Sequence, residues 1–211
     1  MYKVKEIFYS LQGEGAQAGR PAVFCRFTGC NLWSGREADR HKAVCRFCDT
    51  NFVGIDGNNG GQYEAAALVQ KVLSLWPVGR AGKPLVICTG GEPLLQLDET
   101  LINAFHEKNI EVAVETNGTV KPPRGIDWLC VSPKAGAALV ITSGDELKLV
   151  FPQKEQEAQP DQFTHLQFSR FYLQPMDGPD LVENTQLTLA YCLEHPQWNM
   201  SIQVHKILGI E

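Results

Sequence analysis

Cys30, Cys45 and Cys48 stand fourteen residues and then two residues apart, in the stretch CNLWSGREADRHKAVCRFCD. Four thiolates in a tetrahedral array would close a structural zinc site, whereas three leave a metal position open to a substrate or cofactor. Cys25 offers itself as a fourth, giving the spacing Cys-x4-Cys-x14-Cys-x2-Cys. Side-chain parity argues against it. In a strand over Val23–Thr28, Cys25 shares a face with Val23 and Phe27, while Arg26 points to the other face with Phe24 and Thr28. Cys25 is therefore expected to be a small core residue, and a zinc-stabilised binding module is the competing reading. Cys88 and Cys130 lie in apolar runs and Cys192 in a helical stretch, so all three are expected to serve packing. Three cysteines on a four-iron cluster would leave one iron without a protein ligand, and such an iron is a binding site.

These residues need a scaffold, and a recurring unit supplies it. Short apolar runs, AVFCRF, PLVICT, EVAVET, WLCVS, ELKLVF, FYLQ and SIQVHK, read as strands. Stretches with helical spacing, Tyr63–Trp76, Asp98–Lys108 and Asp180–His195, fall among them. Alternation of this kind implies parallel strands joined by crossover helices, in a sheet covered on both faces or closed on itself. Met1–Leu11 is expected to add an N-terminal strand, and Asn51–Gly61, rich in Gly and Asn, to be a loop. The expected fold is a single α/β domain over residues 1–211. It is an incomplete TIM-like barrel of about six parallel strands, because the chain is at the lower limit for eight.

Polar groups collect where the strands end: Thr89-Gly90-Gly91-Glu92-Pro93, Asn117-Gly118, Pro133-Lys134 and Pro175-Met176-Asp177. Gly, Pro, Asn and Asp are also common turn formers, which is the plain alternative for each loop. In barrels of alternating strand and helix the active site lies at this carboxyl end, where the loops converge.

Composition bounds the setting. A net charge of −5 gives no basic footprint for nucleic acid, and apolar runs such as Pro84–Cys88 are too short to cross a bilayer. Met1–Glu6 is charged and lacks the pattern of an export signal. Seven cysteines without that signal favour metal or redox chemistry over disulfides, so the chain is expected to be soluble and cytoplasmic.

CRFC followed about forty residues later by a strand and GGEP resembles the radical S-adenosylmethionine (SAM) superfamily. The spacing of fourteen residues between the first two cysteines, where three are usual, resembles one branch of it, the 7-carboxy-7-deazaguanine synthase family. EIFYSLQGEG, PAVFCRFTGCNLW, CDT, CTGGEP, ETNG, VSPK, LQPMDGP and the closing HK resemble that family in order and spacing, so the likeness covers nearly the whole chain. A long hydrophilic insertion need not move the ligands, because loop-closure entropy grows slowly with length. The other readings are a different radical SAM enzyme, such as a glycyl-radical activase, and the zinc module.

The resemblance implies a carbon–nitrogen lyase of queuosine and 7-deazapurine biosynthesis that contracts the ring of 6-carboxy-5,6,7,8-tetrahydropterin with loss of ammonia. It implies a 4Fe–4S cluster, SAM regenerated at the end of each turnover, and Mg2+. A homodimer and a flavodoxin-type reductant are also family expectations. Cys30, Cys45 and Cys48 would ligate the cluster through thiolates. Phe47, Gly91, Glu92, Glu115, Asn117, Ser132, Pro133, Lys134 and Gln174 would hold SAM. Among these, Glu92 has an acceptor for the ammonium, and Glu115 and Asn117 suit ribose hydroxyls. Phe47 could instead simply shield the cluster, and Glu115 could join a structural salt bridge. Leu11, Gln12, Gly13, Arg26, Thr89 and His205 would hold the substrate. Arg26 is the one charged residue of its strand and has a fork of donors for a carboxylate. His205 could equally be structural. Thr50 would offer a hydroxyl to magnesium, a cation that prefers oxygen. In this family the chain terminus, here Glu211, can also approach the substrate.

Overall fold

The computed structural model describes residues 1–79 and 81–210, so Glu211 lies outside the described residues. Nine strands form one sheet: β1 (Tyr2–Leu11), β2 (Pro21–Phe27), β3 (Gly61–Tyr63), β4 (Leu85–Gly90), β5 (Glu111–Thr116), β6 (Trp128–Val131), β7 (Ser143–Phe151), β8 (Gln167–Pro175) and β9 (Trp198–Met200). Their order is β3-β1-β2-β4-β5-β6-β7-β8-β9. All neighbours from β2 to β9 run parallel, while β1 pairs antiparallel with β2 and β3. This is the expected partial barrel with an N-terminal addition: six longer parallel strands, a short seventh, and a sheet left open at β3 and β9.

Helices α1 (Ala65–Leu75), α2 (Glu99–His106) and α3 (Leu181–Glu194) cover the outside. Val23, Cys25 and Phe27 of β2 and Val86 and Cys88 of β4 face outward to Leu68, Val69 and Val72 of α1 and to Leu101, Ile102 and Phe105 of α2. Asp98 fixes the start of α2 by accepting from the Leu101 amide at 2.9 Å. The inner face changes character along the strands. Phe8, Ala22, Phe24, Leu85, Ile87 and Ala113 form an apolar plug toward the strands' amino ends, with Trp128 packed against it. One pleat further on, the same face carries Arg26, Thr89, Glu115 and Cys130 in register. The plug holds the sheet curved, and the polar layer above it is left to line a mouth.

Two expectations are corrected. SIQVHK is not a strand: pairing with β8 ends at Met200, and Val204–Leu208 form a short helix, α4. Alternating Ile202 and Val204 mimic a strand, but the chain is drawn off the sheet instead. The Ser201 hydroxyl accepts from the Gly15 amide at 2.8 Å, and the Val204 amide bonds to the Gly13 carbonyl at 2.9 Å. The other correction is β3, three residues at the end of the Gly-rich loop that pair with Tyr2–Val4. Among the described residues no helix is long and apolar enough to cross a membrane.

Candidate active site

A cavity of about 280 Å³ opens at the carboxyl ends of the strands. Most residues singled out in the sequence line it: Leu11, Gln12, Gly13, Arg26, Cys30, Cys45, Phe47, Cys48, Thr50, Thr89, Gly91, Glu115, Asn117, Ser132, Lys134, Gln174 and His205. Glu92 and Pro133 do not line it.

The three thiols line one side of the mouth, on the loop that leaves β2, and among the described residues they are not drawn close enough to grip a single metal ion. Cys45 is buried, and Cys30 and Cys48 are half-buried against Trp33, Ala43 and Phe52. The neighbouring Cys45 thiol draws the Cys48 thiol down to about 6, while Cys48 and burial push Cys45 up. Burial also raises Cys30, against the pull of the Leu32 amide, 3.4 Å from its sulfur. Three thiols on a shared cavity wall, with backbone donors at Cys30, form a donor set that fits an iron–sulfur cluster. Cys25 lies on the opposite face of the sheet, fully buried beside Cys88, and burial holds its thiol protonated. It is a core residue, and the zinc reading loses its fourth ligand.

The GGE turn after β4 packs onto this loop. A Cβ at Gly91 would lie 2.0 Å from the Gly29 carbonyl oxygen and 2.9 Å from Cys30 Cβ, so only glycine lets the two loops meet. Glu92 is set back behind the cavity wall. Its fully buried carboxylate accepts from the Leu94 amide (3.0 Å), the Thr116 hydroxyl (2.8 Å) and the Asn117 amide (2.8 Å). Burial raises its pKa, opposed by those donors. Glu92 thus ties the GGE turn to the end of β5, and Gly90 and Gly91 are the parts of the turn that line the cavity. Asn117 is similarly occupied: its Oδ1 accepts from Thr119 and its Nδ2 donates to Asn31 at 3.0 Å. Lys134 Nζ donates to both oxygens of Ser132 at 2.7 Å, and burial lowers its pKa.

The far wall holds a charged network that the sequence reading missed. Lys148, on the inner face of β7, pairs with Glu14 and lies 3.6 Å from Glu115. Glu115 accepts from Gln12 at 2.9 Å and Thr89 at 3.3 Å. Glu115 therefore stands with the residues expected to meet substrate. Glu14 also accepts from Gln203 (2.9 Å) and Gln174 (3.2 Å). Burial works to raise Glu14, but the Lys148 charge and hydrogen bond outweigh it and hold the carboxyl at about 2. Burial likewise opposes the Lys148 charge, and Glu115 and Glu14 overcome it. The signal in the sequence was a lysine two residues after a glutamate in ELKLVF, both on the face that also carries Val150.

Arg26 gives Nε to Glu6 at 2.7 Å, and among the described residues no acceptor meets its terminal nitrogens. The α4 segment closes one rim. A Cβ at Gly13 would clash with the His205 ring at 2.2 Å, so glycine lets His205 come down onto the LQGEG turn. Lys206 bridges Asp49 at 2.7 Å and Asp177, clamping the loop before Thr50 to the loop after β8.

A partial barrel with three thiols and a Gly-Gly loop lining its mouth, and a charged cavity beside them, defines an enzyme of the radical SAM class. No protein-family model matches the chain. It is 62% identical to a 7-carboxy-7-deazaguanine synthase of Caulobacter vibrioides and 58% identical to that of Burkholderia multivorans, in each case over 99% of both chains. It is 40% identical to that of Bacteroides thetaiotaomicron over 100% of this chain and 99% of the relative. The crystal structure of QueE from Escherichia coli superposes with a TM-score of 0.72, covering 97% of this chain and 94% of that one at 24% identity, a likeness of fold. The chain belongs to the 7-carboxy-7-deazaguanine synthase family.

Proposed function

We propose that this chain makes 7-carboxy-7-deazaguanine from 6-carboxy-5,6,7,8-tetrahydropterin, releasing ammonia. The observation that carries the reading is the placement of Arg26 and the Glu115–Lys148–Glu14 network in one cavity with the cysteine triad. With a 4Fe–4S cluster on Cys30, Cys45 and Cys48 and SAM beside it, the site would supply a 5′-deoxyadenosyl radical able to abstract hydrogen from carbon 6 of the pterin. The chain's own residues do the rest. Gly91, Ser132 and Lys134 line the wall next to the thiols and would hold SAM, with Phe47 against its adenine. The free nitrogens of Arg26 would take the substrate carboxylate as a charge-assisted fork. The Leu11-Gln12-Gly13 turn and Thr89 would meet the flat pterin edge, with Glu115 accepting from its amino groups. His205 and Gln203 cover the rim and limit water.

The Thr50 hydroxyl, which no described side chain occupies, would ligate Mg2+ together with substrate oxygen and water. A homodimer would cover apolar residues left exposed on α3, Val182 and Leu193. A flavodoxin-type protein in the cytoplasm would supply the electron.

Arg26→Gln tests the placement of substrate. A charge-assisted bidentate pair contributes about 1.5–3 kcal/mol, so KM for the pterin is expected to rise at least about tenfold with cluster content unchanged. The variant should also lose the preference for the carboxylated pterin over its decarboxylated analogue. An unchanged KM would overturn this orientation.

A further inference from the structure

Arg40 belongs to the insertion between Cys30 and Cys45, and none of the roles above involves it. Its Nη1 donates to the carbonyl oxygens of Arg46 at 2.7 Å and Cys48 at 3.1 Å. Its Nε faces Glu37 at 2.7 and 2.9 Å. The guanidinium carbon lies 4.1 Å from the centre of the Trp33 ring, and Trp33 meets Phe52 edge-on at 5.7 Å, over Cys30 and Cys48. The insertion therefore folds back over the CRFC turn and fixes a cation on it. Guanidinium stays charged at any working pH, and the Trp33 face keeps water off one side. Cys48 and Cys45 lie within electrostatic reach of this charge.

We propose that Arg40 is a positioning residue that raises the reduction potential of the cluster on Cys30, Cys45 and Cys48, by holding a permanent positive charge, fixed by two hydrogen bonds to backbone carbonyls, against the Cys45–Cys48 turn. The proposal rests on the functional reading given above. Reduction brings one electron from an external donor to a site already carrying three thiolates, and no bond forms or breaks. A nearby cation stabilises the reduced form more than the oxidised one, and net charge is among the factors that set the potentials of iron–sulfur centres. Glu37 opposes the effect more weakly, because its side chain is 75% exposed against 30% for Arg40.

The test is a redox titration of the reconstituted protein, without SAM, followed by the electron paramagnetic resonance of the reduced cluster. Arg40→Gln is expected to lower the reduced-to-oxidised ratio at a given potential about tenfold, which is about 59 mV for one electron. Arg40→Lys keeps the charge and should recover most of the shift. Glu37→Gln removes the opposing charge and should shift the potential the other way by a smaller amount. An Arg40→Gln potential equal to wild type would overturn the proposal, as would equal shifts in Arg40→Gln and Arg40→Lys. If Arg40→Gln assembles no cluster, Glu37→Gln decides: a raised potential supports the proposal and an unchanged one overturns it. Wild-type protein that assembles no cluster would overturn the functional reading itself, and this proposal with it.

Discussion

Replacing Cys30, Cys45 or Cys48 singly by alanine is expected to take product formation to the assay background and to remove the bound iron and sulfide, while the protein still folds. The three thiols line a cavity at the mouth of the barrel, so losing one takes a ligand from the cluster without opening the main core. Cys25→Ala is the matched control. Cys25 is fully buried on the other face of the sheet, so its loss should cost about 1 kcal/mol of stability and leave iron content and turnover near wild type. Iron and sulfide analysis with circular dichroism separates the two patterns. Iron lost from Cys25→Ala and kept by Cys48→Ala would mean that the ligands are misassigned.

Lys148→Met should have the largest effect on stability. Lys148 is 6% exposed and faces Glu14 and Glu115, so methionine would leave both carboxylates without the charge that balances them. Breaking a buried pair from one side costs about 3–5 kcal/mol, which in a chain of this size lowers Tm by roughly 6–20 °C. The loss should depend on pH with a definite sign. In the wild type Glu14 is held at about 2, below its ordinary value, so its stabilisation is present above that ordinary value and lost as pH falls toward 2. Without Lys148, burial, the largest influence on Glu14, is opposed only by the weaker pull of Gln203 and His205 and raises its pKa, and protonation then relieves the penalty. The Tm difference from wild type should therefore be larger at pH 8 than at pH 5. A difference independent of pH would show that packing, rather than charge, is what Lys148 supplies. Activity should fall as well, since Glu115 would lose the partner that orients it toward Gln12 and Thr89.

Much of this was legible in the sequence because parallel strands are buried on both faces. AVFCRF, PLVICT and EVAVET had to be apolar almost throughout, so their one polar residue, or their polar ends, marked the mouth of the barrel. Parity alone separated Cys25 from Arg26. Features that depend on the third dimension were not legible. The carboxylate of Glu92 turns inward because the end of β5 offers it two amide and hydroxyl donors, and nothing local to GGEP says so. Lys148 finds Glu14 across 134 residues of chain, and only a charge alternating within ELKLVF hinted at it. Ile202 and Val204 had strand spacing, yet Gly13 and Ser201 capture that segment as a lid.

The cavity beside the triad is expected to convert a carboxylated tetrahydropterin. The most direct measurement is anaerobic reconstitution with iron and sulfide, followed by incubation with 6-carboxy-5,6,7,8-tetrahydropterin, SAM, dithionite and magnesium, with mass spectrometry of the products. The expected result is 7-carboxy-7-deazaguanine and ammonia in equal amounts over many turnovers, with the SAM pool undiminished. A loaded protein that cleaves SAM and leaves the pterin intact would contradict it.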